Sequence, residues 1–167
     1  MPVSVPPTLP RRLRATDANG MHVIGVVSDT SGAFQWFHTE GETGVEASRA
    51  LVKLFGERSI SLSVIDLTRY ELGNIILRGR LQATAEQAMA IVDLLAQMCP
   101  AITPTAIELR HATRLAETHR LTLYDATYAA VARARGAELA TLDKALLKAG
   151  LGRRPSELVE MIRLEAG

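Results

Sequence analysis

The stretch HVIGVVS at residues 22–28, followed at once by Asp29, decides the fold class of this chain. A short apolar run that ends in turn-forming residues, here DTSG at 29–32, is typical of a buried strand. Asp143 follows a second run of this kind, AELATL at residues 137–142. Ligands of open parallel sheets bind outside the carboxyl ends of the strands, so we expect Asp29 and Asp143 to lie at one edge of a sheet.

Strand and helix patterns alternate along the remaining sequence. Apolar residues recur with a period of two at Ile60, Leu62 and Val64, which predicts a short strand. Ala101 and Ile102 predict another. Helices are expected near residues 32–38, 43–56, 67–80, 84–98, 122–136 and 144–149. This alternation predicts an α/β fold, a sandwich around a mostly parallel sheet.

Capping residues predict several helix ends. Thr84 and Gln87 have the spacing of a capping box. Thr103 followed by Pro104 predicts an N-cap with proline at the first helical position. Gly136 predicts a C-terminal glycine cap for the Ala-rich helix before it.

The length of 167 residues fits one compact domain. Residues 1–20 contain four of the seven prolines and no clear periodicity, which predicts a loose N-terminal extension before a single domain at 21–167. At the other end, residues 153–164 fit either a helix or a final edge strand, and the sequence leaves both open.

The composition excludes several classes of function. With 19 basic and 18 acidic residues, the chain has no net charge large enough to attract a polyanion over its whole surface. A nucleic-acid contact must therefore be local. A single cysteine cannot form an internal disulfide, and no apolar stretch approaches the roughly 18 residues that span a bilayer. The Arg11 and Arg12 pair lacks the apolar region of an export signal. These features predict a cytoplasmic protein.

Four separated acids, Asp29, Glu71, Asp125 and Asp143, form a candidate metal site because each lies at or near the end of a predicted element. Three of them also have a local explanation. Asp29 and Asp143 suit helix N-caps, and Asp125 suits the first turn of the helix that follows Thr122. From the residues alone, a metal site and a set of helix caps therefore remain alternatives.

Glu71 has a different setting, inside a predicted helix. It shares one helical face with Asn74 and Arg78, while the other residues are apolar around most of the circumference. A narrow polar stripe on a buried helix is expected to face a cleft. A solvated stripe is the alternative interpretation.

Four runs of the sequence resemble PIN-domain ribonucleases, and most closely the VapC-type toxins of bacterial toxin–antitoxin pairs. They are VVSDTSGAFQWF at 26–37, IDLTRYELGN at 65–74, LYDATYAAVA at 123–132 and LATLDKAL at 139–146. The likeness covers about residues 22–150, in order and at normal spacing. The long extension at 1–20 and the tail depart from the family pattern, and neither contains one of the four acids.

The resemblance implies a three-layer α/β/α sandwich and a Mg²⁺-dependent endoribonuclease that cleaves RNA and leaves a 5′-phosphate, with Mn²⁺ as the alternative ion. It carries over all four acids as the magnesium-binding and catalytic residues. We expect Asp29 and Asp143 to be direct ligands. Supporting positions in the site are assigned to Ser31, Asn74 and Thr141, and Arg78 is a candidate RNA contact. Mg²⁺ prefers oxygen ligands, keeps several waters and supports phosphodiester hydrolysis as a Lewis acid.

The resemblance also implies partners, namely a cognate antitoxin and a second copy of the chain in a homodimer. Phe34, Trp36 and Phe37 are expected to be core or interface residues rather than base-stacking residues.

Three other functions compete with a toxin. They are a housekeeping PIN nuclease that processes RNA, a catalytically silent interaction module, and a phospho-acceptor signalling domain. The signalling domain needs a lysine late in a strand, whereas Lys144 begins a predicted helix.

Overall fold

A computed structural model describes residues 15–16, 22–79 and 82–166. The strands are β1 Ala15–Thr16, β2 His22–Ser28, β3 Ile60–Ile65, β4 Ala101–Ile102 and β5 Glu138–Ala140. The helices are α1 Thr30–Phe37, α2 Val45–Gly56, α3 Leu67–Arg78, α4 Ala85–Met98, α5 Ala106–His119, α6 Leu123–Ala134, α7 Lys144–Lys148 and α8 Pro155–Ala166.

The sheet is mostly parallel, as predicted. Four strands run parallel in the spatial order β4, β3, β2, β5, and β1 adds an antiparallel pair at the start of β2. The central strand β2 pairs with β3 through Ile24 to Val27 and with β5 through Val26 to Ser28. The carboxyl ends of β2 and β5 therefore lie side by side. Asp29 follows the first of them, and Thr141 follows the second.

Helices cover both faces of this sheet. Side chains alternate between the two faces of a strand, and adjacent residues of β2 enter different cores. Val26 packs in a core with Leu51 of α2 and Leu158 of α8. Val27 packs in another core with Tyr128 of α6 and Leu146 of α7. Burial on both faces produces three layers, so the predicted α/β/α sandwich is confirmed.

Most predicted helix ends are confirmed, and one is wrong. Thr84 and Gln87 form the expected capping box of α4. The start of α5 is not at Thr103 and Pro104, because Thr105 caps the helix in a reciprocal box with Glu108. That box satisfies two helix-end hydrogen-bonding groups at once and outweighs the preference for proline in the first turn.

The first 20 residues and the C-terminal tail contain structure that the sequence left open or did not predict. Within residues 1–20 only Ala15 and Thr16 are described, and they form β1; the rest of the predicted extension lies outside the described residues. The tail is the helix α8, preceded by one parallel bridge between Arg153 and Ala140. The last edge strand is thus reduced to a single pairing. Every helix in the described ranges is too short or too polar to span a bilayer.

Candidate functional site

Asp29 occupies the turn between β2 and α1, and its side chain is almost completely enclosed. It is the N-cap of α1 and is only 4% exposed. Oδ1 accepts hydrogen bonds from Ser31 Oγ at 2.6 Å and from the Gly32 N–H at 3.0 Å. Oδ2 accepts a hydrogen bond from Thr141 Oγ1. Three donors from two chain segments thus hold one carboxylate in a single orientation.

The buried position changes the acidity of Asp29. Burial raises its pKa from the ordinary 3.8 to about 6, although the hydrogen bonds from Ser31, Thr141 and Gly32 oppose the shift. The negative charge of Asp143 raises the pKa further. The hydrogen bonds therefore compensate only part of the cost of burying this charge, and a nearby cation would compensate more of it.

Asp143 is tied to the same place by Thr141. Its backbone N–H donates to Thr141 Oγ1 at 3.0 Å, while its own Oδ1 accepts from the N–H groups of Ala145 and Leu146 at 2.9 Å each. Asp143 is therefore the N-cap of α7. Ser31 Oγ also accepts the Leu142 N–H at 2.8 Å, which joins α1 to the segment after β5.

Glu71 lies on α3 and is held by hydroxyl groups from two other helices. Its Oε1 accepts hydrogen bonds from Thr30 Oγ1 at 3.0 Å and from Tyr128 OH at 2.7 Å. The Tyr128 hydroxyl also lies 2.8 Å from Thr30 Oγ1 and 2.9 Å from Thr68 Oγ1. Burial raises the pKa of Tyr128 far above its ordinary value, and the adjacent Glu71 carboxylate raises it too. Tyr128 therefore stays protonated and can donate.

Asp125 lies in the first turn of α6 and is half-buried. Thr122 Oγ1 donates to its Oδ2 at 2.6 Å and accepts its backbone N–H at 3.1 Å. The local capping interactions foreseen for Asp29, Asp125 and Asp143 are thus all present. They do not exclude a second role, because each carboxylate has about four acceptor positions.

A common pattern unites Glu71, Asp125 and Asp143. In each carboxylate one oxygen is fixed by hydrogen bonds, while the other accepts none from any described residue. Asp29 and Asp143 interact electrostatically, and Glu71 joins α1 through Thr30. No three His, Cys, Asp or Glu side chains in the described part of the chain are arranged closely enough to hold a metal ion. The structure thus joins the acids in smaller groups and does not assemble all four.

A comparison with protein families identifies the family of this chain. Residues 26–151 match the family model described as PIN domain. The chain belongs to the PIN-domain family. The match spans both strand-end acids and both helix acids. Among curated proteins, no match to this PIN domain is found.

Solved structures share the fold of this PIN domain. The Pyrobaculum aerophilum protein PAE2754 is 21% identical with a TM-score of 0.61, over 84% of this chain and 96% of that one. Mycobacterium tuberculosis VapC20, described as a sarcin–ricin loop cleaving toxin, is 18% identical with a TM-score of 0.58, and the match covers 75% of this chain and 95% of VapC20. Rickettsia felis VapBC2, bound to a promoter DNA fragment, is 14% identical with a TM-score of 0.59, and the match covers 77% of this chain and 96% of the matched chain.

The polar stripe of α3 in this PIN domain is more open than predicted. Leu72 and Ile76 are buried, but Tyr70 is 72% exposed and Leu77 is 45% exposed. The expectation that α3 is buried around most of its circumference is therefore wrong, because apolar residues also occupy its outer face. Asn74 and Arg78 are both exposed, and neither makes a hydrogen bond or an ion pair with the four acids.

The sequence reasoning missed the three hydroxyl residues around Glu71. Thr30 is adjacent to Asp29, Thr68 lies one turn before Glu71, and Tyr128 lies one turn after Asp125. Thr68 and Tyr128 are buried. A hydroxyl side chain in an otherwise Ala-rich buried helix needs a polar partner, and that requirement was the available signal for Tyr128.

The early aromatic cluster lies in and against the core of one face of the sheet. Trp36 is buried in the core that contains Val26, and Phe34 and Phe37 pack against that core. The core interpretation is confirmed for Trp36, whereas Phe34 and Phe37 are half-buried at the edge of that core. Trp36 Nε1 is enclosed without a hydrogen-bond partner among the described residues.

Proposed function

We propose that this PIN domain is a Mg²⁺-dependent endoribonuclease, with Mn²⁺ as the alternative ion, and that it is the toxin of a toxin–antitoxin pair. The observation that carries the proposal is the enclosed carboxylate of Asp29, which Thr141 connects to Asp143 at the carboxyl ends of β2 and β5. This is the edge where parallel sheets bind ligands.

The donor chemistry fits a hard divalent cation, which proteins commonly bind through only one or two carboxylates, although no three acids of the described residues gather around one point. Carboxylate oxygens are the ligands that Mg²⁺ prefers, and Glu71, Asp125 and Asp143 each present one oxygen without a partner among the described residues. Burial raises the pKa of Asp29 in spite of its three hydrogen bonds, and a nearby cation would oppose that shift. Asp29 and Asp143 would hold the ion, with Glu71 and Asp125 completing the site.

Each part of the site has a distinct task in phosphodiester hydrolysis. When bound, Mg²⁺ supplies Lewis-acid stabilisation of the phosphoryl oxygens and promotes deprotonation of a water nucleophile. Ser31 and Thr141 orient Asp29 through their hydrogen bonds. The N-terminus of α1 begins one residue after Asp29, and such N–H groups favour phosphate oxygens. Arg78, exposed at the end of α3, is available to a neighbouring phosphate.

The assignment as a toxin is supported by the fold shared with VapC20 and VapBC2. A cognate antitoxin and a second copy of the chain are the proposed protein partners. Exposed apolar side chains offer surface for them, and these include Tyr70, Leu77, Ile107, Leu123 and Tyr124. A cytoplasmic location is proposed with this function.

The decisive experiment is cleavage of a mixed RNA pool by the purified protein with and without Mg²⁺. We expect the wild type to cut RNA, to leave 5′-phosphate ends, and to stop cutting when the ion is chelated. Asp29→Asn, Asp143→Asn and Glu71→Gln should each lose this activity. Asp93→Asn is the matched control, because Asp93 is an exposed acid on α4. Cutting that persists in Asp29→Asn, or after chelation, would contradict the proposal.

Two further arms separate the remaining alternatives. If the pool is not cut, structured transfer and ribosomal RNAs are tested next. Absence of cleavage of these RNAs would favour an interaction module. If the protein cuts RNA, co-expression with the product of the adjacent gene distinguishes a toxin from a housekeeping nuclease. Neutralisation by a stable complex indicates a toxin, whereas unchanged activity indicates a processing enzyme.

A further inference from the structure

The hydroxyl cluster around Glu71 contains more contacts than protons. Thr30, Thr68 and Tyr128 contribute three hydroxyl protons, yet four oxygen–oxygen contacts of 2.7–3.0 Å connect them with one another and with Glu71 Oε1. A tyrosine hydroxyl has a single proton. In the shortest contact that proton goes to Glu71 Oε1, at 2.7 Å.

This assignment determines the direction of the neighbouring bonds. Because Tyr128 donates to Glu71, Thr68 must donate to Tyr128 across their 2.9 Å contact. Thr30 donates its proton to Glu71, so its 2.8 Å contact with Tyr128 is the one left without a proton. Tyr128 is therefore the central member of the cluster, since it contacts all three of the other residues.

Tyr128 is also the most firmly held member. Its side chain is only 2% exposed and packs in the core that contains Val27 and Leu146. It lies three residues after Asp125 on α6, and residues at this spacing share a helical face. Its bond to Glu71 joins α3 to α6, so Tyr128 connects the positions of two acids on different helices.

We propose that Tyr128 is a positioning residue of the metal site, whose hydroxyl holds Oε1 of Glu71 and leaves Oε2 as the oxygen that binds the ion. This inference rests on the proposed function. Tyr128 itself touches neither ion nor substrate, and it acts only through Glu71. Groups that orient a metal ligand in this way commonly change metal affinity by on the order of 10-fold to 100-fold.

The test is Mn²⁺ binding, measured by calorimetry, for the wild type, Tyr128→Phe, Glu71→Gln and the double variant. Phenylalanine keeps the ring and removes only the hydroxyl. We expect Tyr128→Phe to weaken Mn²⁺ binding roughly 10-fold or more. The double variant should bind no more weakly than Glu71→Gln alone, because the hydroxyl has no other route to the ion.

Two controls keep the result interpretable. Tyr124→Phe removes an exposed hydroxyl from the same helix and should leave Mn²⁺ affinity unchanged. Thr68→Val removes a hydroxyl that contacts Tyr128 but not Glu71. Thr68→Val should weaken Mn²⁺ binding less than Tyr128→Phe does. If Tyr128→Phe shows no cooperative thermal transition, and so does not fold, Thr68→Val replaces it as the test variant.

The outcomes separate this inference from the proposed function. A wild type that binds no Mn²⁺ would overturn both. Suppose that the wild type binds Mn²⁺ and that Glu71→Gln weakens this binding. An unaltered Mn²⁺ affinity of Tyr128→Phe would then overturn the role of Tyr128 alone. If Tyr128→Phe does not fold, an unaltered affinity of Thr68→Val would do the same. Additive effects in the double variant would also overturn it, since Tyr128 would then act by a route other than Glu71.

Discussion

Thr141 donates a hydrogen bond to Oδ2 of Asp29, although 112 positions of the sequence separate the two residues. The same hydroxyl oxygen accepts the backbone N–H of Asp143. One buried side chain thus orients the first acid of the site and anchors the segment that carries the last. The relationship couples the geometry of the site to the stability of the fold.

Replacing Thr141 with valine should therefore destabilise the protein. Valine has the same shape but offers neither the donor for Asp29 nor the acceptor for the Asp143 N–H. Leaving such buried groups unsatisfied costs about 1–3 kcal/mol. Urea unfolding at neutral pH measures the loss, and Thr141→Ser, which keeps the hydroxyl, should recover most of it. Equal stabilities of Thr141→Val and wild type would contradict the assigned hydrogen bonds.

The metal-free protein should lose stability as pH rises through the titration of Asp29. The folded pKa of about 6 lies above the ordinary 3.8, so the folded state binds this proton more tightly than the unfolded state does. The contribution is fully present below about pH 4 and is lost as pH rises through about 6. The difference between the folded and unfolded pKa of Asp29 corresponds to a contribution of roughly 3 kcal/mol to the free energy of unfolding.

Asp29→Asn removes the titrating group and supplies the comparison. The free energy of unfolding of the wild type, measured without metal, should fall relative to that of Asp29→Asn between about pH 4 and pH 6. Above that range the difference should become constant. Parallel curves over the whole range would show that Asp29 ionises in the folded state as it does in water.

Magnesium should raise the melting temperature of the wild type but not of Asp29→Asn. An ion that binds only the folded state stabilises it by about 2.7 kcal/mol at 100 times its dissociation constant. For a chain of this size that corresponds to a shift of roughly 5–10 °C. Scanning fluorimetry with NaCl at matched ionic strength provides the control. Identical shifts in both proteins would place the ion elsewhere.

Gly152→Ala should destabilise the protein and disturb Asp29. A Cβ at Gly152 would lie 2.5 Å from Thr141 Cγ2 and 3.2 Å from the carbonyl oxygen of Leu139. Thr141 is buried and cannot move without breaking its bond to Asp29. We expect a loss of about 1–3 kcal/mol in urea unfolding, typical of overpacking.

Gly56→Ala is the matched control for that substitution. Gly56 lies at the end of α2, and an added Cβ meets nothing within 4 Å. Its replacement should be neutral or stabilise the protein by about 0.4–1 kcal/mol. If both variants behave alike, the close approach of Gly152 to Thr141 is not a constraint on the fold.

Arg78→Gln should weaken the binding of RNA without slowing the chemical step. Arg78 is exposed at the end of α3, and its guanidinium makes no ion pair with any described residue. Loss of one phosphate contact should raise KM, leave kcat nearly unchanged, and reduce the salt slope of binding by roughly one. Lys53→Gln on α2 is the control, since Lys53 pairs with Glu57. Equal salt slopes for both variants would remove Arg78 from the RNA interface.

Local patterns in the sequence predicted most elements of the fold. The apolar run before Asp29 became β2, and the capping residues at Thr84 and Thr122 mark the helix starts that they predict. Such features depend on neighbours within about one helical turn, so the sequence displays them directly. The wrong start of α5 came from the same level of information, because Thr105 and Glu108 form a stronger capping signal than Thr103 and Pro104.

The tertiary structure alone decided which side chains meet. Tyr128 and Glu71 are 57 positions apart, and Thr141 and Asp29 are 112 apart, yet each pair shares a hydrogen bond. The exposure of Tyr70 on α3 is likewise invisible in the helical pattern. The sequence by itself determined the elements, and it placed Asp29, Asp125 and Asp143 at or near element ends and Glu71 inside α3. Ser31 and Thr122 are sequence neighbours of the acids that they contact. The distant hydroxyl partners, Thr30 and Tyr128 for Glu71 and Thr141 for Asp29, were decided by how separate segments dock, which local periodicity does not encode.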